Sequence, residues 1–145
     1  MTFIRAIGLI AAFAVSLVLF AAQDAAAQDI GGGWKGYYYY NDGHIKVEFT
    51  LDLGMRDGRC VGQTKEPNTF GDRSATHLYA IITCQSLDVR PGQVFAFHKQ
   101  YDGTGGVSHG VEYSGVMSAD GNTITGQGRI GETTGQFSMT RIVTQ

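Results

Sequence analysis

The sequence predicts an all-β protein: an eight-stranded antiparallel up-and-down β-barrel preceded by a cleaved signal peptide. Three observations lead to this prediction. Apolar and polar residues alternate with a period of two through most of the chain after residue 28, and no helical period persists there. Asx-Gly pairs, which suit hairpin turns, separate the alternating segments. The first 27 residues have the basic start and apolar stretch of a leader.

The amino-terminal segment, residues 1–27, is predicted to be a signal peptide. Arg5 supplies a positive charge, residues 6–20 are apolar, and the small residues of an Ala-Ala-Ala run end at Ala27. An uncleaved membrane anchor is the alternative, but the apolar stretch is shorter than the roughly 20 residues that a spanning helix needs. No basic flank follows it either. We therefore expect a periplasmic or secreted protein without stable membrane insertion after cleavage.

Residues 28–145 are predicted to form a single β-barrel domain, because a chain of this length buries one core. The net charge of the whole chain is −2, so composition does not favour a nucleic-acid partner. The chain contains 21 glycines and only two prolines. The glycines are dispersed, as is typical of short strands joined by tight turns.

The strand predicted at 45–53 shows the alternation most clearly, with odd-numbered Ile, Val, Phe and Leu opposing even-numbered Lys, Glu, Thr and Asp. Turns are predicted at Asn41-Asp42-Gly43 and at three Asp-Gly pairs that begin at residues 57, 102 and 120. The predicted strands are 34–40, 45–53, 59–64, 77–84, 93–101, 109–118, 123–130 and 135–143. Closing such a meander removes its two edges. A β-sandwich is the alternative, although few of the gaps allow a Greek-key crossing.

Two cysteines mark the register of the third and fourth predicted strands. Pairing these strands as a hairpin places Cys60 directly opposite Cys84. In an oxidising compartment this predicts a disulfide; two free buried thiols are the alternative. Neither cysteine belongs to a CxxC motif or a histidine cluster, so we expect no metal site, and nothing in the chain points to a cofactor.

The predicted interior contains charge among aromatic side chains. Alternation places Lys99 and Arg141 inside, and no acidic residue is expected on the inward set. A buried cation needs a partner, so tyrosine hydroxyls, backbone carbonyls or a ligand anion would have to serve. The candidate ligand-binding residues are Tyr38, Phe97, Lys99, Tyr101 and Tyr113. A filled core, with Lys99 near enough to the rim to reach water, is the alternative.

Two surface features are candidates for contact with other molecules. The longest connection, residues 65–76, carries Phe70 between polar residues and is expected to act as a lid, because long loops in small domains tend to be functional. Tyr37 and Tyr39 are expected on the outer wall, where they would suit a partner protein or a homo-oligomer.

Gly32-Gly33-Trp34 in the first strand and Arg141 in the last resemble the end signature of the calycin group, which comprises lipocalins, fatty-acid-binding proteins and the avidin family. The resemblance implies a binding protein with its ligand at the open end of the barrel. It also implies that Arg141 stacks over Trp34 and closes the other end. The absence of a segment that could form an interior helix favours the avidin–streptavidin branch over lipocalins. Biotin binding is not implied, since Trp34 is the single tryptophan.

The expected function is therefore an exported β-barrel binding protein that holds a small, partly apolar ligand in the barrel mouth, with an anion as one candidate. A periplasmic protein-binding module, such as a hydrolase or protease inhibitor, is the alternative. We expect no enzymatic activity. An isomerase is the third option, and Lys99 is the only candidate for its titrating group.

Overall fold

The computed structural model describes residues 26–40 and 46–143, and most of these residues lie in β-strands. The strands are β1 Gln28–Asp29, β2 Gly32–Tyr40, β3 Val47–Arg56, β4 Arg59–Pro67, β5 His77–Cys84, β6 Asp88–Val89, β7 Val94–Tyr101, β8 Gly110–Met117, β9 Thr123–Ile130 and β10 Thr133–Arg141. A 3-10 turn, Thr104–Gly106, lies between β7 and β8. Within these described ranges, no helix is long and apolar enough to cross a membrane.

Eight of the strands form a closed antiparallel barrel in the order β10-β2-β3-β4-β5-β7-β8-β9. Each barrel strand pairs with the next barrel strand along the chain; β6, which lies between β5 and β7 in the sequence, is not part of the barrel. The pairing of β10 with β2 closes the ring. This confirms the predicted fold class and rules out the β-sandwich. Closure leaves no barrel strand with a free edge, so the barrel presents no row of unpaired backbone groups to another sheet.

The strand boundaries differ from the predicted ones mainly in β3 and β4, which run on to Arg56 and Pro67. The predicted lid therefore shortens to residues 68–76, because 65–67 continue the ladder with β5. The predicted leader up to residue 25, the turn at 41–43 and the beginning of the strand predicted at 45–53 lie outside the described residues.

A two-stranded ribbon covers one end of the barrel. β1 pairs with β6, and the backbone N–H of Ile30 donates to the carbonyl of Leu87 at 2.8 Å. Ile30 is completely buried, and Leu87 and Val89 are buried beside it. Residues 28–33 thus form an ordered strap, held by the backbone pairing of β1 with β6 and by the buried side chain of Ile30.

Side chains fill the middle of the barrel. The Phe97 and Tyr113 rings stack with centroids 4.8 Å apart, and Phe137 meets both edge-on. Glycine makes room for these rings: a Cβ at Gly128 would lie 2.7 Å from Cε1 of Tyr113, and one at Gly115 would lie 2.7 Å from Cζ of Phe137. These two inward glycines therefore accommodate aromatic packing and do not leave an open lumen.

The predicted disulfide is confirmed. Cys60 on β4 lies directly opposite Cys84 on β5, and the two form a disulfide. Cys60 is buried, and Cys84 is partly buried. The bond joins a hairpin whose ladder extends to Pro67 opposite His77, so it fixes the end of that hairpin away from the shortened loop.

Candidate functional site

The end of the barrel opposite the β1–β6 ribbon opens into a cavity of about 310 Å³. Its lining residues come from four strands and two loops, and most of them are aromatic or aliphatic: Tyr38, Tyr40, Val47, Thr69, Phe70, Tyr101, His109 and Ile130. We call this cavity the mouth. Because the interior below it is filled, the mouth is where this end of the barrel has room for a small molecule.

Beneath the mouth lies a buried ion pair that the sequence analysis missed. Lys99 Nζ on β7 lies 2.5 Å from Glu66 Oε2 on β4, and the two side chains are 3% and 0% exposed. The expectation that no acid shares the interior with Lys99 was wrong, because β4 continues past Thr64 and turns Glu66 inward. With its counter-ion 2.5 Å away, Lys99 needs no ligand anion.

Two tyrosine hydroxyls complete this pair. Tyr38 and Tyr101 both donate to Glu66 Oε1, at 2.9 and 2.5 Å, and Lys99 Nζ donates to the Tyr101 oxygen at 2.9 Å. The ammonium also lies 4.4 Å from the Tyr101 ring centroid and 5.0 Å from that of Tyr38. Both carboxylate oxygens thus accept hydrogen bonds from buried donors, which offsets the cost of removing the charges from water.

Burial controls the protonation of the groups in this cluster. It raises the pKa of Tyr38 and of Tyr101 far above the ordinary tyrosine range, and the Glu66 carboxylate adds to both shifts. Burial lowers the pKa of Lys99, while the carboxylate of Glu66 opposes that change. The tyrosines therefore remain hydrogen-bond donors through the neutral range, and the floor of the mouth carries no net charge when the ion pair is formed.

The loop at 68–76 partly covers the mouth. Phe70 meets Tyr101 edge-on, with centroids 5.8 Å apart, and lies 6.0 Å from His109, yet it is still 49% exposed. Asn68 orders the loop: its Nδ2 donates to the carbonyls of Asp72 and Ala75 at 2.6 and 2.9 Å, and its Oδ1 accepts from the Gly71 N–H at 2.7 Å. The loop thus holds an aromatic side chain at the rim in a defined position.

His109 is the titratable group on the rim. Its ring lies 4.9 Å from that of Tyr101. Burial and the nearby positive charge of Lys99 both lower the pKa of His109, so its neutral form is favoured at pH 7. A neutral imidazole gives the mouth one donor and one acceptor without adding a charge.

The structure brings together only some of the residues predicted to bind a ligand. Tyr38, Lys99 and Tyr101 meet in the cluster around Glu66, whereas Phe97 and Tyr113 lie deeper in the filled interior and do not border the mouth. Lys99 itself lies below the mouth lining. The sequence did contain a signal for Glu66, because this residue continues the inward series of Cys60, residue 62 and Thr64 at a period of two. A charged residue directly before Pro67, however, is typical of the end of a strand.

At the other end of the barrel, Arg141 lies over Trp34. The guanidinium carbon is 4.7 Å from the indole, and the two residues are directly opposite in the β10–β2 ladder. Trp34 Nε1 donates to the Ile30 carbonyl at 2.9 Å. Arg141 donates to the carbonyls of Gly31 and Asp29, each at 3.2 Å. Both side chains therefore tie the amino-terminal strap to the barrel.

The fold and site define the class of protein: a closed eight-stranded β-barrel, compatible with the calycin-like barrels in general, with one covered end and one apolar mouth. No model of a known protein family matches the chain, and no curated protein matches its sequence significantly. Among the described residues, no group of three or more His, Cys, Asp or Glu side chains could hold a metal ion.

Proposed function

We propose that this chain is an exported binding protein that holds a small, largely apolar ligand in the mouth. The observation that carries the proposal is the apolar cavity at the one end that the β1–β6 ribbon does not cover, with Phe70 half-exposed above it. Ligand sites are typically concave and mostly apolar, with a few polar groups at fixed positions. The mouth has this composition, and His109 and Thr69 supply its polar edge.

The size and charge of the mouth restrict the class of ligand. A volume of about 310 Å³ lies at the small end of the range for ligand pockets, which favours a molecule of one or two rings or a short acyl chain. The reason for expecting an anion was an unmatched Lys99, and Glu66 removes that reason. The proposal is therefore a neutral ligand, or one whose charged group stays in water.

Export is supported by the disulfide between Cys60 and Cys84, since such bonds form and persist in oxidising compartments. It also agrees with the leader expected at residues 1–27. Fractionation of cells expressing the full chain, followed by mass spectrometry of the amino terminus, tests this part. A mature chain beginning at Gln28 in the periplasm or medium is expected, and a cytoplasmic chain that retains its leader would contradict it.

The binding proposal is tested with ligands that share an apolar body and differ in charge. Suitable pairs are naphthoic acid with naphthylmethanol, and decanoic acid with decanol. The neutral member should bind at least as tightly as the acid, and chemical shifts should change at Val47, Phe70 and Ile130. Phe70→Ala should weaken binding, while Val116→Ala, which removes a similarly exposed apolar side chain from the outer wall of β8, should not. Shift changes confined to other residues would refute the proposal.

One observation favours a second candidate function, the binding of a partner protein such as a hydrolase. The loop at 68–76 is ordered by Asn68 and presents an exposed aromatic residue, and a preordered loop loses little entropy when it binds. Purification of the tagged chain from periplasmic extract separates the two functions. A stoichiometric protein lost in Phe70→Ala favours the second, and a co-purified small molecule favours the first.

A further inference from the structure

Three neighbouring strands, β9, β10 and β2, carry an unusual outer wall. The pairing register aligns their outward side chains in rows: Gln127 with Gln136 and Tyr39, and Thr125 with Ser138 and Tyr37. A third row contains Thr123, Thr140 and Lys35. The first two rows contain only Thr, Ser, Gln and Tyr side chains. We call these six side chains the neutral face.

Charge lies around the neutral face and not within it. On the outward side of these three strands the charged residues are Arg129 and Lys35, one toward each end of the face. None of the exposed large apolar residues among the described parts of the chain lies on β9, β10 or β2. The face therefore lacks the aliphatic centre that a protein interface uses. Its charged neighbours lie at the border: Glu48 is opposite Tyr37 in the β2–β3 ladder, and Lys46 lies over the tyrosine rings.

The two tyrosines of the neutral face are held in fixed orientations. Their rings are inclined by only 15°, with centroids 6.3 Å apart. The Tyr39 hydroxyl donates to Gln136 Oε1 at 2.8 Å, and Lys46 Nζ lies 4.5 Å from the Tyr37 ring centroid. Preordered aromatic rings bind at a lower entropic cost than mobile ones.

The neutral face is also concave. A trough of about 370 Å³ lies between the tyrosines and the Thr and Gln side chains of β9. It shares Tyr37 and Ser138 with a second depression of about 770 Å³ that continues over β3 and β4 to His77 on β5 and is lined in part by Lys35, Glu48 and Lys65. The two together cross six strands, which suits an extended ligand better than a compact one, and the trough on β9, β10 and β2 is their uncharged end.

From these observations we propose that the neutral face binds a neutral saccharide chain. Sugar hydroxyls both donate and accept, as do the Thr, Ser, Gln and Tyr side chains here. The apolar C–H faces of a pyranose pack on aromatic rings, which Tyr37 and Tyr39 supply. This surface is on the side wall of the barrel, so the proposal stands independently of the ligand in the mouth.

The test uses isothermal titration with neutral cello-, malto-, xylo- and chito-oligosaccharides and, as the charged comparison, an oligogalacturonate. At least one neutral oligosaccharide should bind, with little dependence on salt. Tyr37→Ala combined with Tyr39→Ala should weaken binding by about tenfold or more. Tyr79→Ala removes a partly exposed tyrosine from β5, away from the face, and should leave the affinity unchanged.

A second variant guards against misfolding of the double tyrosine mutant. Thr125→Arg places a bulky cation in the trough from an exposed position, and it should weaken binding while Trp34 fluorescence remains native. Binding to none of the neutral oligosaccharides, a preference for the oligogalacturonate that salt abolishes, or equal loss in Tyr79→Ala would each overturn the proposal. So would sedimentation showing that the chain self-associates through Tyr37 and Tyr39.

Discussion

The Lys99 ammonium lies 2.5 Å from Oε2 of Glu66, and the two side chains meet inside the barrel from strands that have β5 between them. The pair therefore connects two strands that share no backbone ladder, through the interior of the barrel immediately beneath the mouth. Two tyrosine hydroxyls bind the same carboxylate, so the cluster is fully hydrogen-bonded at Glu66. It closes the floor of the mouth with a rigid polar layer under an apolar wall.

Glu66→Gln should destabilise the fold strongly, because it leaves the buried Lys99 charge without a counter-ion. Removing one partner of a buried pair typically costs about 3–5 kcal/mol. Urea denaturation measures the loss. The matched control is Glu112→Gln, which removes the same charge from the exposed pair with His98 and should cost less than about 1 kcal/mol.

The double variant Glu66→Gln with Lys99→Met tests whether the unpaired charge is the cause. It removes both charges from the interior, so stability should recover by a large part of the loss seen with Glu66→Gln alone. If the double variant is as unstable as the sum of the two single variants, the two residues do not act as a pair.

Stability should fall steeply above pH 10. The pKa values of Tyr38, Tyr101 and Tyr113 are raised in the fold from an ordinary value of 10.0, so the unfolded chain loses these protons first. Their contribution is fully present below pH 10 and is lost as the pH rises further, at about 1.4 kcal/mol per pH unit for each group. The lowered pKa of Lys99 acts in the opposite direction below its ordinary value of 10.5, but it is one group, and burial raises the pKa of Tyr40 as well.

Urea denaturation between pH 9 and pH 11, with tyrosine absorbance recorded in parallel, measures this effect. The three buried tyrosines should ionise only when the chain unfolds. Tyr101→Phe removes one of them, so the free energy of unfolding should fall less steeply with pH, by about 1.4 kcal/mol per pH unit. A free energy of unfolding that stays level across this range would contradict the prediction.

Strict alternation of side chains predicted the barrel because it extends over whole strands, and every barrel strand was found by it. The ribbon of β1 and β6 was missed because each strand has only two residues, too few to show a period. Glu66 was missed for a different reason: its position has the inward parity, but a carboxylate and a following proline disfavour a strand locally. The tertiary partner Lys99, 33 positions away, overrides that local preference.

The mouth itself could not be read from the sequence. Whether inward glycines leave space or admit neighbouring rings depends on rotamers across the barrel, and here Gly115 and Gly128 admit Phe137 and Tyr113. Alternation correctly placed Phe97 and Tyr113 inside the barrel. It does not indicate how far along the barrel axis a side chain lies, so it could not separate the residues of the core from those of the mouth.

Removal of the disulfide by Cys60→Ala with Cys84→Ala should lower stability by about 3 kcal/mol, the loss expected when a loop of this size is opened in the unfolded chain. Binding at the mouth should not change, because the bond lies at the opposite end of the β4–β5 hairpin. Denaturation with and without reductant gives the first quantity, and ligand titration gives the second. A large change in ligand affinity would show that the two ends of the barrel are coupled.

Arg141→Lys should loosen the amino-terminal strap. Lysine keeps the charge but loses the planar group that both stacks on Trp34 and donates to Gly31 and Asp29. We expect a loss of about 1–2 kcal/mol and faster amide exchange at Ile30. Because Trp34 is the single tryptophan, its fluorescence reports this end alone. An unchanged spectrum and unchanged exchange would show that the strap does not depend on Arg141.

Asn68→Ala should free the loop above the mouth without disturbing the barrel. The substitution removes two donated hydrogen bonds and the acceptor for the Gly71 N–H, so amide exchange should accelerate at residues 71–76. Arg73→Ala, at an exposed position in the same loop, is the control. If Phe70 is a cover over a mouth ligand, loosening should raise the dissociation rate of that ligand. If the loop is a preordered docking element, Asn68→Ala should instead weaken a protein complex. An unchanged exchange pattern would refute the role assigned to Asn68.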